Sequence, residues 1–386
     1  MKKSTLALVC AIAISIVGCG RGPGLVVVPE IPTQISGDLQ PLWSMQMGPI
    51  QLVQSQQAWS RDLQPVALDG QRLMLAHGQE ILLLDLDNPR RPEQLWRMEV
   101  ETGSLAAGAS IADDVFAYTT DKGALELRQL DDQQLLWRQQ LSARANAKVA
   151  INGRYVISYN QDGLVQSFRQ SDGQLVWQYQ TRVPDVTLLG TARPVIAADQ
   201  VIIATPGGRV MSLDLITGQV NWEYRIAVAS GRTGFDRLVD ADANPVVMGD
   251  SVFVSALNGQ LVQIDLNTGR VRGSVNLDTL VSPLILEDRL IVISPEGNIQ
   301  GLSPTGEPIW SIDDWRLRRY TAPQLWGDYI LVADAFGAML LLDPEDGRVH
   351  HAQQVHGIGY VQPPLVVGQD AFFQSASGRI TALRLR

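Results

Sequence analysis

The chain has 386 residues, of which 45% are apolar, with a formal charge of -9 and two cysteines. That acidic balance excludes nucleic-acid binding through a basic footprint, and two cysteines exclude a disulfide framework. Beyond the N-terminal segment, no apolar stretch is long enough to cross a bilayer as a helix.

Lys2 and Lys3 precede an apolar run from Leu6 to Val17, interrupted by Ser15. The run is short for a transmembrane helix and reads as a secretory signal over residues 1–18. It ends in Ile16-Val17-Gly18-Cys19, which resembles a lipoprotein processing box and makes Cys19 the expected lipidation site. Cys10 lies in the part to be removed, so the mature chain keeps one cysteine at its first position and has no thiol catalyst. Gly20, rather than aspartate, follows it, and by resemblance to sorted lipoproteins this implies the outer membrane. Residues 19–40 hold prolines and glycines in alternation with apolar residues and are expected to form a lipidated, flexible tether. A protein built this way is anchored by acyl chains and does not span the membrane.

From residue 41 onward the sequence repeats. Glycine turns at Gly78, Gly123, Gly163, Gly208, Gly259, Gly297 and Gly337 each open a strand pair, and five of these pairs end in Trp96, Trp137, Trp177, Trp222 and Trp310. An eighth turn, Ser377-Gly378, opens a strand that reaches Arg386 with no tryptophan after it. The missing tryptophan is at the other end, in Pro41-Leu42-Trp43-Ser44. A period near 40 residues belongs to propellers and arrays, and the circular offset predicts closure. The expected fold is all-β: one eight-bladed β-propeller of four-stranded blades over 41–386, with an N-terminal strand completing the last blade.

The fourth repeat shows the pattern of one blade. Pro194-Val195-Ile196-Ala197 reads as an inner strand, and Val201-Ile202-Ile203-Ala204 as a strand buried on both faces. Gly207-Gly208 turns the chain where positive φ is needed. Val210 to Asp214 alternates, and Thr217-Gly218 leads into Val220-Asn221-Trp222. Proline recurs at the inner strand (Pro245, Pro283, Pro323, Pro364), where an edge tolerates a residue without an N–H. Spacing between turn glycines is 51 residues from Gly208 to Gly259, against 38 to 45 elsewhere. The surplus lies between Trp222 and Pro245; a second candidate loop lies around Ser55 to Asp62. Long loops on a regular scaffold are where function concentrates.

No catalytic constellation emerges. Asp240-x-Asp242-x-Asn244 begins like a calcium loop, but Pro245 and Ser251 stand where glycine and glutamate are required. His350 and His351 are adjacent in a strand and face opposite ways, while His77 precedes a turn glycine and His356 stands apart. Neither a metal nor a cofactor is expected.

The unit Gly, Leu-x-x-Leu-Asp, Thr-Gly-x-x-x-Trp resembles the tryptophan-docking repeats of pyrroloquinoline-quinone dehydrogenases. Those enzymes place a neighbouring-cysteine disulfide beside the quinone, which this mature chain cannot form. The indoles are instead expected to fill the gaps between blades, each N–H meeting a backbone carbonyl. The segment Gly234-Phe235-Asp236-Arg237-Leu238-Val239-Asp240-Ala241-Asp242-Ala243-Asn244-Pro245 is similar to the signature loop of the BamB family, the lipoprotein propellers of the outer-membrane β-barrel assembly machinery. With the lipoprotein start and the eight repeats, this resemblance covers essentially the whole chain.

The resemblance implies a non-enzymatic scaffold. It implies docking on the periplasmic domains of the barrel insertase, BamA, contact through it with the other assembly lipoproteins, and help for unfolded outer-membrane proteins. In the family two loops carry the contact. Asp240 and Asp242, with Arg237, match one of them. The other corresponds to Val186, Leu188 and Leu189, with Leu189 where the family has arginine; Arg193 or Arg182 is the candidate to supply that guanidinium. An apolar cluster rimmed by charge suits an interface core. The competing readings are a quinoprotein-like enzyme and a glycan-binding propeller that uses exposed Trp59 or Trp315.

Overall fold

Proline and glycine set the limits of each strand. In the fourth blade Pro194 precedes the inner strand Val195–Ala197, which pairs with Gln200–Thr205, then Arg209–Asp214, then Val220–Arg225. The inner strand is only three residues long, while the second strand is buried on both faces and carries continuous apolar sequence. The computed structural model describes residues 28–48, 61–184, 192–227, 243–356, 359–360 and 362–386. Among these, eight such antiparallel sheets of four strands follow one another. Blades 1 to 7 span 66–99, 105–140, 150–180, 195–225, 246–276, 284–312 and 324–354.

Blade 8 is composite. Its three inner strands lie within 365–385, and its outer strand is Leu39–Gln46 from the far end of the chain. The two termini pair antiparallel, Leu39 opposite Leu385 and Trp43 opposite Ala382, with an irregularity between Pro41 and Trp43. Met47 N–H then donates to Gly378 O at 2.9 Å, and Arg386 N–H to Asp38 O at 2.8 Å. The apolar core is divided into eight clusters, one for each seam between neighbouring blades. The cluster joining Phe372, Ile380 and Ala382 to Leu73, Leu75 and Leu82 unites blade 8 with blade 1 and closes the ring.

At four seams the tryptophans do what their repeat suggested. Trp137, Trp177, Trp222 and Trp310 donate their indole N–H to the carbonyls of Gln170, Leu215, Leu266 and Pro344 in the next blade, at 2.7 to 3.0 Å. Each ring lies against that blade's turn glycine. A Cβ on Gly218 would stand 2.6 Å from Trp177 Cδ2, and Gly218 also has φ +71°. Gly218→Ala is therefore expected to cost about 2–4 kcal/mol, read from the urea midpoint. The control is Gly249→Ala, where φ is +57° and nothing lies within 4 Å of the new Cβ. An equal effect at the two sites would show that backbone strain alone is at work.

Trp43 and Trp96 depart from the expected pattern: both indole nitrogens are buried without a hydrogen-bond partner. The turns they face carry no glycine. Gln133 takes the glycine position opposite Trp96 with φ 57°, and Trp96 stacks on Phe116 at 5.5 Å instead. In blade 7, His351 occupies the tryptophan's register, paired with Leu341. Burial lowers its pKa, and its Nδ1 accepts the Ser36 N–H at 3.0 Å.

Two expectations need correction. The tether over 19–40 is shorter than expected, because residues 29–38 lie on the propeller. Gln34 and Ala352 exchange backbone hydrogen bonds, Arg318 Nη1 donates to Pro29 O at 2.6 Å, and Asp38 meets His350 Nε2 at 2.7 Å. Backbone pairing to an edge strand outweighs the prolines' lack of donors. Trp315 is partly buried against the seam between blades 6 and 7 and is not an exposed glycan platform; Trp59 lies outside the described residues.

Candidate functional site

A four-stranded meander ends on the face where the next begins, so every outer-to-inner connection emerges on one face of the disc. The connections from blade 3 to 4, residues 181–194, and from blade 4 to 5, residues 226–245, are neighbours there. Their central parts, 185–191 and 228–242, lie outside the described residues. With them go Val186, Leu188, Leu189, Arg237, Asp240 and Asp242, as does Cys19. The ends of both loops are described, and they are tied firmly.

The first loop leaves from Thr181, whose N–H and Oγ1 both donate to Gly163 O at 2.9 Å. The second leaves through Ile226 and Ala227, whose N–H groups both reach Gly208 O. Their returning ends meet: the Arg193 N–H donates to Asn244 Oδ1 at 2.8 Å, and Ser282 Oγ donates to Asn244 O at 3.1 Å. Arg193 and Asn244, far apart in sequence, thus meet where the two connections end. Asn244 spends its side-chain oxygen on that tie. Among the described residues no group of three or more His, Cys, Asp or Glu could hold a metal ion.

Beneath this base lies a charged cluster that sequence reasoning missed. Asp62 is buried, and its carboxylate accepts from Arg193 Nε, from Arg193 Nη2 at 2.6 Å and from the Lys148 N–H at 3.1 Å. Arg193 Nη2 also reaches Gln64 Oε1 at 2.9 Å, and Lys148 Nζ donates to Gln64 O. Gln64 Nε2 continues to Pro363 O at 3.0 Å. Residues 62–64 thus stitch together blades 2, 3, 4 and 8. Burial by itself raises the Asp62 carboxyl, but the charges of Arg193 and Lys148 outweigh it and hold the group below the usual carboxylate range. Burial and the Arg193 charge together push the Lys148 ammonium down to about 7, with Asp62 opposing them. The only signal in the sequence was the long connection running through Asp62, since nothing local marks Lys148.

Arg193 is consequently a bolt within the propeller. Its guanidinium is turned on Asp62 and Gln64. A buried carboxylate and a partly buried guanidinium in bidentate geometry are not separated cheaply. Arg182, the other candidate, stands exposed at the start of the same loop. As chemistry, the arrangement is a fixed support for two loops.

The family model for outer membrane protein assembly factor BamB matches residues 79–300 and 295–386. The BamB of Yersinia pestis is 26% identical over 301 residues, 75% of this chain and 77% of that protein. The BamB of Vibrio cholerae is 30% identical over 241 residues, 62% of each. The crystal structure of BamB from Moraxella catarrhalis superposes with a TM-score of 0.78 at 26% identity, covering 90% of this chain and 100% of that one. A europium-containing methanol dehydrogenase, at 11% identity and a TM-score of 0.70 over 90% of this chain and 93% of its own, shares the fold alone. A family match over nearly the whole propeller, on eight closed blades, leads to one conclusion: the chain belongs to the outer membrane protein assembly factor BamB family.

Proposed function

We propose that this protein is a non-enzymatic scaffold of the outer-membrane β-barrel assembly machinery, anchored by lipid on Cys19 at the periplasmic face of the outer membrane. It docks on the periplasmic domains of the barrel insertase through the loops 185–191 and 228–242 and so assists assembly of outer-membrane β-barrel proteins. The observation that carries this reading is the shared base of the two loops, Arg193 to Asn244, on a chain whose family is that of assembly factors. A rigid base holds two loops in one relative position, which is what a composite interface needs.

The division of labour follows from residue type. Val186, Leu188 and Leu189 form the apolar centre, where burial supplies affinity. Asp240 and Asp242, next to Arg237, steer a basic partner surface and set orientation more than affinity. Arg193 positions both loops from beneath, and Arg182 supplies the exposed positive charge. Leu188→Asp, or Asp240→Arg together with Asp242→Arg, is expected to abolish co-purification with the insertase while the urea midpoint stays unchanged. Normal co-purification of both variants would refute the assignment of these loops.

A further inference from the structure

The seam between blades 5 and 6 differs from its neighbours in two linked ways. Gly273 stands where Trp222 stands one blade earlier: Gly273 pairs with Gln263 as Trp222 pairs with Ser212. The facing turn of blade 6 is one residue shorter as well. Leu302 pairs with Pro308, six residues on, whereas Leu213 pairs with Val220 and Ile264 with Val271, seven residues on. Pro304, two residues after Leu302, keeps the position from which Leu215, Leu266 and Pro344 accept the indole N–H at other seams. At this seam the tryptophan itself is missing while the acceptor position and the turn glycine, Gly306, are kept. Val275 packs beneath Gly306 where an indole lies at the locked seams.

The result is a cavity of about 320 Å³ opening between the two blades. Phe253, Leu261, Val275, Ile285, Leu286 and Leu290 form its apolar walls. An engineered apolar cavity of roughly 150 Å³ already admits benzene, so this one has room for a two-ring aromatic. The seam core is correspondingly thin, and Phe253 is only partly buried, where its counterpart Ile202 is fully covered. Gly273 lies on the outer strand Val271–Asn276, the edge of the blade 5 sheet, so an extended chain passing along that edge would present a side chain to the opening.

Charge favours a basic neighbour for that side chain. Glu287 is the one charged residue in the cavity wall, is exposed, and forms no ion pair among the described residues. The nearby cation, Arg272, is already held by Asp250 at 2.6 Å and Asp265 at 2.5 Å, with its Nη1 on Ser251 Oγ at 2.9 Å. We infer that the blade 5–6 seam is a binding site for an aromatic side chain, flanked by a basic residue, on an extended polypeptide. The ring enters the space left open beside Gly273, and Glu287 meets the adjacent cation. This site is separate from the two loops and does not depend on the insertase contact.

The test is calorimetric titration of the full lipoprotein in detergent with acetyl-Lys-Trp-Lys-amide and acetyl-Lys-Ala-Lys-amide. The tryptophan peptide is expected to bind at least about tenfold more tightly. Gly273→Trp should remove that difference. The backbone permits it, since a Cβ at Gly273 meets only Gln263 Oε1, at 3.9 Å. Glu287→Lys leaves the space intact and should weaken the tryptophan peptide about fivefold, so it decides the matter even if Gly273→Trp does not fold. Equal binding of the two peptides by the native chain overturns the inference. So does tryptophan-peptide binding that Glu287→Lys leaves unchanged, or that survives in a folded Gly273→Trp.

Discussion

Deletion of residues 29–47 is expected to open the ring and remove most of its stability, not merely to shorten the chain. The segment supplies the whole outer strand of blade 8, so its loss leaves the backbone edge of Arg379–Leu385 unpaired. It also removes Leu42, Trp43, Met45 and Met47, all packed into the seam between blades 8 and 1. Burying a large apolar side chain contributes about 1.5–3 kcal/mol when complete. Four such residues, some only half covered, amount to about 5–10 kcal/mol, comparable with the roughly 5–15 kcal/mol that holds a typical domain folded. Urea unfolding should show a lower midpoint and a broader transition, and limited proteolysis should cut first near Phe372. A truncated chain with the native midpoint would mean that the ring does not depend on this strand. The same geometry bears on the proposed anchoring: a lipid on Cys19 would hold the disc by the strand that closes it.

Asp62→Ala should be the most damaging single substitution away from the apolar core. It would leave the Arg193 guanidinium and the Lys148 ammonium facing one another without a counter-charge, and removing one partner of a buried pair costs about 3–5 kcal/mol. The pH dependence carries a second signature. In the native protein Lys148 titrates near 7, well below its unfolded value, so between those limits the unfolded chain binds more protons and stability rises with pH. Asp62 raises the pKa of Lys148, so in Asp62→Ala the rise should begin below pH 7. Asp62 contributes in the opposite sense: its lowered carboxyl stabilises the fold above the ordinary carboxylate range, a contribution lost as pH falls through its folded pKa. Stability curves measured at several pH values check both. Unchanged stability in Asp62→Ala would mean that Arg193 and Lys148 find other partners.

Much of the fold was legible because its determinants are local. A glycine at a turn, a proline before an inner strand and an apolar second strand are each read within a few residues, and their recurrence counts the blades. Closure was legible too, since the strand at Trp43 and the strand ending at Arg386 each lacked what the other had. The candidate loops could be named from a resemblance and a spacing anomaly. The chemistry of the Arg193 guanidinium can be read from sequence, but the carboxylate it meets, 131 residues away, cannot.

The repeat also promised more uniformity than the molecule has. Identical tryptophans sit in unlike seams, because each indole's partner belongs to the following blade. Trp222 is locked by Leu266 and Gly269, while Trp96 faces Gln133 and keeps an unpartnered N–H. Gly273 and the shorter turn before Pro308 look like unrelated irregularities until the ring brings them together.

Turn chemistry and strand patterning act over a few residues, so the all-β class, the number of blades and the meeting of the two ends follow from the chain alone. Which charges pair off around Asp62, that residues 29–38 lie against blade 7, and which seam is left open emerge only in the folded ring. Those outcomes depend on side chains brought together by closure of the ring, and no local pattern encodes a partner that lies several blades away.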